Sequence, residues 1–209
     1  MSHLILLGDS IFDNAAYTAG GPAVIDQVRQ HLPAMWQARL LAVDGDTTTD
    51  VPQQLRRLPP EATHLVLSVG GNDALNALPQ LEAPSTSVKQ GLAALHGMKT
   101  EFQANYRALI KRLLALNKPL LVCTIYDHIP GLPPELVTAL GTFNDVILRA
   151  AIEHGLPVLD LRMICTEPGD YSVQSPIEPS SQGGAKIVRR MVKAVVDHDF
   201  TVGGCRICW

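Results

Sequence analysis

The 209-residue chain has no block of lysine and arginine: 17 basic and 20 acidic residues leave a formal charge of −3. That balance excludes a surface built to hold a phosphate backbone, and no nucleic-acid partner is expected. There is no apolar run of membrane-spanning length, so no membrane partner is expected either. The opening MSHLILLGDS lacks a basic n-region and a small-residue cleavage site. It reads as a strand that starts at once, and the cytoplasm is the expected compartment. Cysteines are few, and the four present do not make a disulfide framework. Cys123 and Cys165 stand in apolar surroundings and read as buried thiols. Cys205 and Cys208 form one C-x-x-C within GGCRICW. It lacks the second pair of a zinc site and the strand-then-helix context of a redox motif. No metal and no cofactor are therefore expected, and residues 200–209 read as a C-terminal tail.

What is present is an alternation. Short runs rich in Val, Ile and Leu at 3–9, 38–44, 64–70, 119–126 and 157–163 read as strands buried on both faces. Between them, helical spacing of apolar residues marks helices near 22–32, 47–57, 100–117, 133–154 and 181–198. No segment repeats another. The longest irregular stretch, 74–99, reads as a cap over the end of the sheet. With 46% hydrophobic residues the chain suits one domain, expected over 1–199. Regular β-α alternation implies a five-stranded parallel sheet with helices on both faces, a flavodoxin-like three-layer α/β/α sandwich. In such sheets ligands bind beyond the carboxyl ends of the strands.

The residues that follow the strands therefore matter most. GDSIFDN follows the first, DGDTTTD the second, GGNDALN the third, YDHIPG the fourth, and SPIEPSSQGG comes after the fifth. Gly8-Asp9-Ser10 puts a hydroxyl on a tight turn at a strand end. Gly45 and Gly70-Gly71 let backbone amides approach a ligand closely, and Asn72 adds a side-chain donor. A hydroxyl facing convergent N–H donors is the arrangement that acyl transfer needs.

These motifs resemble those of the SGNH (GDSL-type) hydrolases, which carry GDS after the first strand, a Gly after the second, GxND after the third and DxxH before the last helix. The resemblance covers nearly the whole chain. It implies esterase, lipase, thioesterase or carbohydrate-deacetylating chemistry on a small-molecule ester or acyl substrate. It implies Ser10 as nucleophile, with the Ser10 N–H, the Gly45 N–H and the Asn72 amide as oxyanion hole. The chain departs from the family at the last motif. Ser175-Pro176-Ile177-Glu178 stands where Asp-x-x-His is expected, and no histidine lies between 155 and 197.

The base must then come from elsewhere. His3, His31, His64, His154 and His198 fall at the amino pole of the sheet, and His96 sits in the cap. His128, after the fourth strand, is on the right face. Glu178 is the main candidate. A free Glu is a weaker base than His by about two pKa units, roughly 3 kcal/mol, and burial is what closes such a gap. Its bland alternative is a cap on the last helix, or a pair with Lys186, Arg189 or Arg190. Asp9 and Asp73, beside the motifs, read as loop braces with Gly71. Asp160 reads as structural, Thr47–Thr49 as the start of a helix, and Tyr126 as pocket wall or core. The leading reading is a metal-independent serine hydrolase with an atypical base. A second is a binding module that kept the pocket and lost its chemistry. A phosphate-binding domain is disfavoured, because GDSIFDN has no Gly-rich cradle and Asp9 and Asp13 repel phosphate.

Overall fold

The computed structural model describes residues 1–202 and 204–209. β1 (Ser2–Gly8) shows how the sheet is built. Leu4, Ile5, Leu6 and Leu7 are all fully buried, yet in two different cores, because side chains alternate across a strand. Leu4 and Leu6 meet α1 (Val24–His31) and α6 (Ser181–Asp197) through Val24, Val28, Ile187 and Met191. Ile5 and Leu7 face the other layer, α4 (Val88–Leu114) and α5 (Pro134–His154), through Phe102, Leu109, Phe143 and Ile147. β3 (His64–Ser68) and β4 (Leu120–Cys123) split the same way. The result is the expected α/β/α sandwich.

The sheet runs in the order β2-β1-β3-β4-β5-β6, all parallel. It has six strands, not the five expected. The sixth, β6 (Ile207–Cys208), comes from the stretch read as a tail and pairs with β5 (Val158–Leu159). Cys205 packs on one core and Cys208 on the other, both as free thiols. A two-residue strand in a Gly- and Cys-rich end carries no readable period. β2 (Trp36–Leu40) is shorter and earlier than expected and alternates between half-buried and exposed. It is an edge strand, and in Trp-Gln-Ala-Arg-Leu only every second residue reaches the α1 core. Residues 41–46 leave the sheet for the loop that ends in α2 (Val51–Gln54).

The segment 74–99 is helical except at residues 82–87. α3 spans Gly71–Leu81, and α4 begins at Val88, capped by Ser87 Oγ, which accepts the Gln90 N–H. Pro79 inside α3 and the glycines at 91 and 97 hide this period in the sequence. Among the described residues, no helix is long and apolar enough to cross a membrane.

Candidate active site

The carboxyl ends of β1 and β3 touch. Gly8 has φ of +126°, and a Cβ there would stand 1.7 Å from the Ser68 carbonyl oxygen, so only glycine fits. The Asp9 N–H donates to that same oxygen at 3.1 Å, and the Asp9 carbonyl then takes the N–H groups of Phe12 and Asp13. This turn presents Ser10 at the head of a pocket of about 110 Å³. Asp9, Ser10, Gly71, Asn72 and Glu178 all line that pocket. Residues 168 positions apart in sequence thus meet at one wall.

Glu178 is held by its backbone. Its N–H donates to Ser175 O at 3.0 Å and its carbonyl accepts the Ser172 N–H at 2.8 Å. The Tyr126 hydroxyl donates to Ile177 O at 2.6 Å. Asn14, fully buried, donates to Pro179 O at 3.1 Å and accepts the Val24 N–H at 2.8 Å. The side chain is only 6% exposed, and Oε2 has no hydrogen-bond partner. Neither bland alternative applies. Ser180, not Glu178, caps α6, by accepting the Gly183 N–H. Lys186 pairs with Glu167 and Asp170. No cation pairs with Glu178 among the described residues. Burial pushes its carboxyl up to about 7; the facing Ser10 hydroxyl opposes the shift by favouring the ionised form, and the Asp44 charge adds to it. Burial pushes Asp9 up to about 8, against the Ile11 N–H that its Oδ1 accepts, and the charges of Glu178 and Asp73 reinforce it.

Ser10 lines the pocket, whereas Gly45 does not. Among the described residues, neither the Ser10 N–H nor the Gly45 N–H has an acceptor. Gly45 turns at φ +85° with open space around its Cα. Asn72 Nδ2 gives one hydrogen to Asp46 O at 2.9 Å and keeps its second. Asp73 does not line the pocket and takes the Thr48 N–H at 3.0 Å and the Thr48 hydroxyl. Asp160 binds Thr124 and Arg162. His128 is exposed, with Nδ1 2.9 Å from Asp127 Oδ1, and does not line the pocket; nor does any other histidine among the described residues.

Sequence reasoning missed Gln54. It is almost fully buried and ties three pieces together. Its Oε1 accepts the Gly8 N–H at 2.9 Å, and its Nε2 donates to Gly8 O at 2.6 Å and to Asp46 Oδ2 at 2.7 Å. The strand end that carries Ser10 is thereby fixed to the loop that carries Gly45. The available signal was a glutamine one helical turn after buried Val51, on the apolar side.

Comparison with known proteins agrees with the fold. The profile of the GDSL-like Lipase/Acylhydrolase family matches residues 6–186. No curated protein matches the sequence. Among solved structures, a lipase from a goat rumen metagenome is similar at TM-score 0.72 and 17% identity, covering 93% of this chain and 97% of its own. A lipase/acylhydrolase from Enterococcus faecalis is 26% identical at TM-score 0.61, covering 92% and 96%. An acetyl xylan esterase from Geobacillus stearothermophilus is 16% identical at TM-score 0.67, covering 93% and 94%. With its matched residues spanning the Ser10 turn, the Gly71-Asn72 end of β3 and the Glu178 loop, the chain belongs to the GDSL-like lipase/acylhydrolase family.

Proposed function

We propose that this chain is a serine ester hydrolase whose general base is Glu178. Ser10 Oγ attacks the ester carbonyl while the Glu178 carboxylate takes the hydroxyl proton. The oxyanion is held by the Ser10 N–H, the Gly45 N–H and the free hydrogen of Asn72 Nδ2. Glu178 returns the proton to the departing alcohol, leaving an acyl group on Ser10. Water, deprotonated by the same carboxylate, attacks the acyl carbonyl, and Glu178 passes that proton to Ser10 Oγ as the acid leaves. The steps use no metal or cofactor. A carboxylate also has no tautomer to fix, so it does without the supporting Asp whose place Ser175 fills.

The observation that carries this reading is the pairing of Ser10 with a buried carboxylate that has no counter-ion, in one pocket. A base works best with a pKa near the working pH, and burial brings Glu178 there. A second reading, a binding module, is favoured by one fact: no imidazole lines the pocket among the described residues. Hydrolysis of p-nitrophenyl esters against pH separates the two. The hydrolase reading expects kcat/KM to rise with a single ionisation near 7. It expects Glu178→Gln to lose on the order of 10²- to 10⁴-fold. Equal, pH-independent rates in wild type and Glu178→Gln would favour the binding module.

A further inference from the structure

Between α6 and β6 lies a cavity of about 220 Å³ that shares no residue with the Ser10 pocket. Arg190 and Lys193 line it from α6, and Arg206 lines it from the start of the last strand. The sequence shows no basic block because these cations come from two separate elements. Residues 190, 193 and 197, spaced by three and four, share one face of α6. Cys208 packs into the core on the α6 side of the sheet, and alternation along the strand sends Arg206 to that same side. The Arg206 carbonyl accepts the Val158 N–H at 2.8 Å, so the sheet fixes its place.

The three cations have no protein partner. Arg107, Arg162 and Lys186 each hold a carboxylate, whereas Arg190, Lys193 and Arg206 make no ion pair and no side-chain hydrogen bond among the described residues. Asp197 is the one acidic side chain in the wall. In a chain of net charge −3 this is a local reversal of sign, and it attracts anions. His198, also in the wall, is turned to Phe200, with ring centroids 4.6 Å apart. The remaining large group is Trp209. Its ring lines the same cavity, is 63% exposed, and packs on no other ring among the described residues. Guanidinium groups bind phosphate oxygens in pairs, and an indole face stacks on a heterocycle. The cavity exceeds the roughly 150 Å³ that takes a benzene ring, so a larger ring has room. We infer that the α6–β6 cavity binds a small polyphosphate carrying an aromatic heterocycle, a ligand of the nucleoside diphosphate kind. Arg190, Lys193 and Arg206 hold its phosphates and Trp209 covers its ring. This site is independent of the hydrolase reading.

The probes are ADP, inorganic pyrophosphate and adenosine. Calorimetry on the unchanged chain gives the affinities, and Trp36→Phe leaves Trp209 as the sole tryptophan for fluorescence. ADP is expected to bind with a Kd below about 1 mM at low salt and to quench Trp209. Adenosine and pyrophosphate each lack one half of the ligand and are expected to bind at least about ten-fold more weakly. Arg190→Ala combined with Lys193→Ala, two exposed positions, weakens ADP at least about ten-fold, and so does about 0.5 M salt. Trp209→Ala lowers ADP to the level of pyrophosphate. Arg56→Ala, exposed and outside the cavity, leaves ADP binding as it was. Ser10→Ala also keeps it, so failure of the hydrolase reading leaves this inference standing. Any one of three results overturns it: no saturable ADP binding by the folded protein, ADP binding unmoved by the α6 double variant, or pyrophosphate binding as tightly as ADP.

Discussion

In the proposed mechanism Glu178 serves chemistry at the expense of stability. Its carboxyl is raised from 4.5 to about 7 in the fold, so the folded state prefers it protonated. The sign follows: this preference stabilises the fold below about 4.5 and is lost as pH rises through about 7. Above 7 the buried charge is a net cost. Glu178→Gln is therefore expected to gain about 1–2 kcal/mol over wild type near pH 8, after allowance for solvent screening, and little near pH 4. Urea unfolding at the two pH values checks this. A variant that is at once more stable and far less active separates a functional carboxylate from a structural one. His128→Ala, by contrast, is expected to change ester hydrolysis less than about two-fold, since that ring pairs with Asp127 outside the pocket.

At the scale of elements, the site depends on how strand ends are tied together. Gln54→Leu keeps the volume but strips partners from the Gly8 N–H, the Gly8 carbonyl and Asp46. Each buried group left unpaired costs about 1–3 kcal/mol. The expected outcome is a loss of about 2–4 kcal/mol in urea unfolding and a fall in kcat larger than any rise in KM. Two glycines give a contrast. Gly8→Ala drives a methyl into the Ser68 carbonyl and is expected to prevent folding. Gly45→Ala meets open space and costs about 1–2 kcal/mol for its left-handed backbone alone, measurable in the same unfolding series. Much of this was legible in the sequence. GDS and GGND marked the two strand ends, and the Pro-bracketed glutamate marked the third part of the site. What was not legible were pieces set by tertiary pairing. β6 forms because an edge of β5 was open, α3 and the start of α4 form despite Pro79 and two glycines, and Gln54 is polar where local pattern expects apolar.

At the scale of the whole molecule, charge is arranged unevenly about the pocket. No lysine or arginine lines it among the described residues. Asp44, close enough to raise Glu178, takes the Tyr17 hydroxyl at 2.6 Å, and its N–H donates to Asp13 Oδ2 at 3.0 Å. Such a rim repels anionic leaving groups and attracts cationic ones. Esters of a carboxylate-bearing alcohol are expected to react about three- to ten-fold more slowly than neutral isosteres at low salt, with the gap closing at about 0.5 M salt. Steady-state kcat/KM for a matched pair at two ionic strengths reads this directly.

The central claim is that Ser10 is activated by a carboxylate instead of an imidazole. The most direct measurement is intact mass after treatment with a fluorophosphonate, on wild type and Ser10→Ala, across about pH 5 to 9. The account predicts one adduct on wild type, none on Ser10→Ala, and a labelling rate that reaches half its maximum near 7. A folded wild-type protein that takes no adduct anywhere in that range contradicts it.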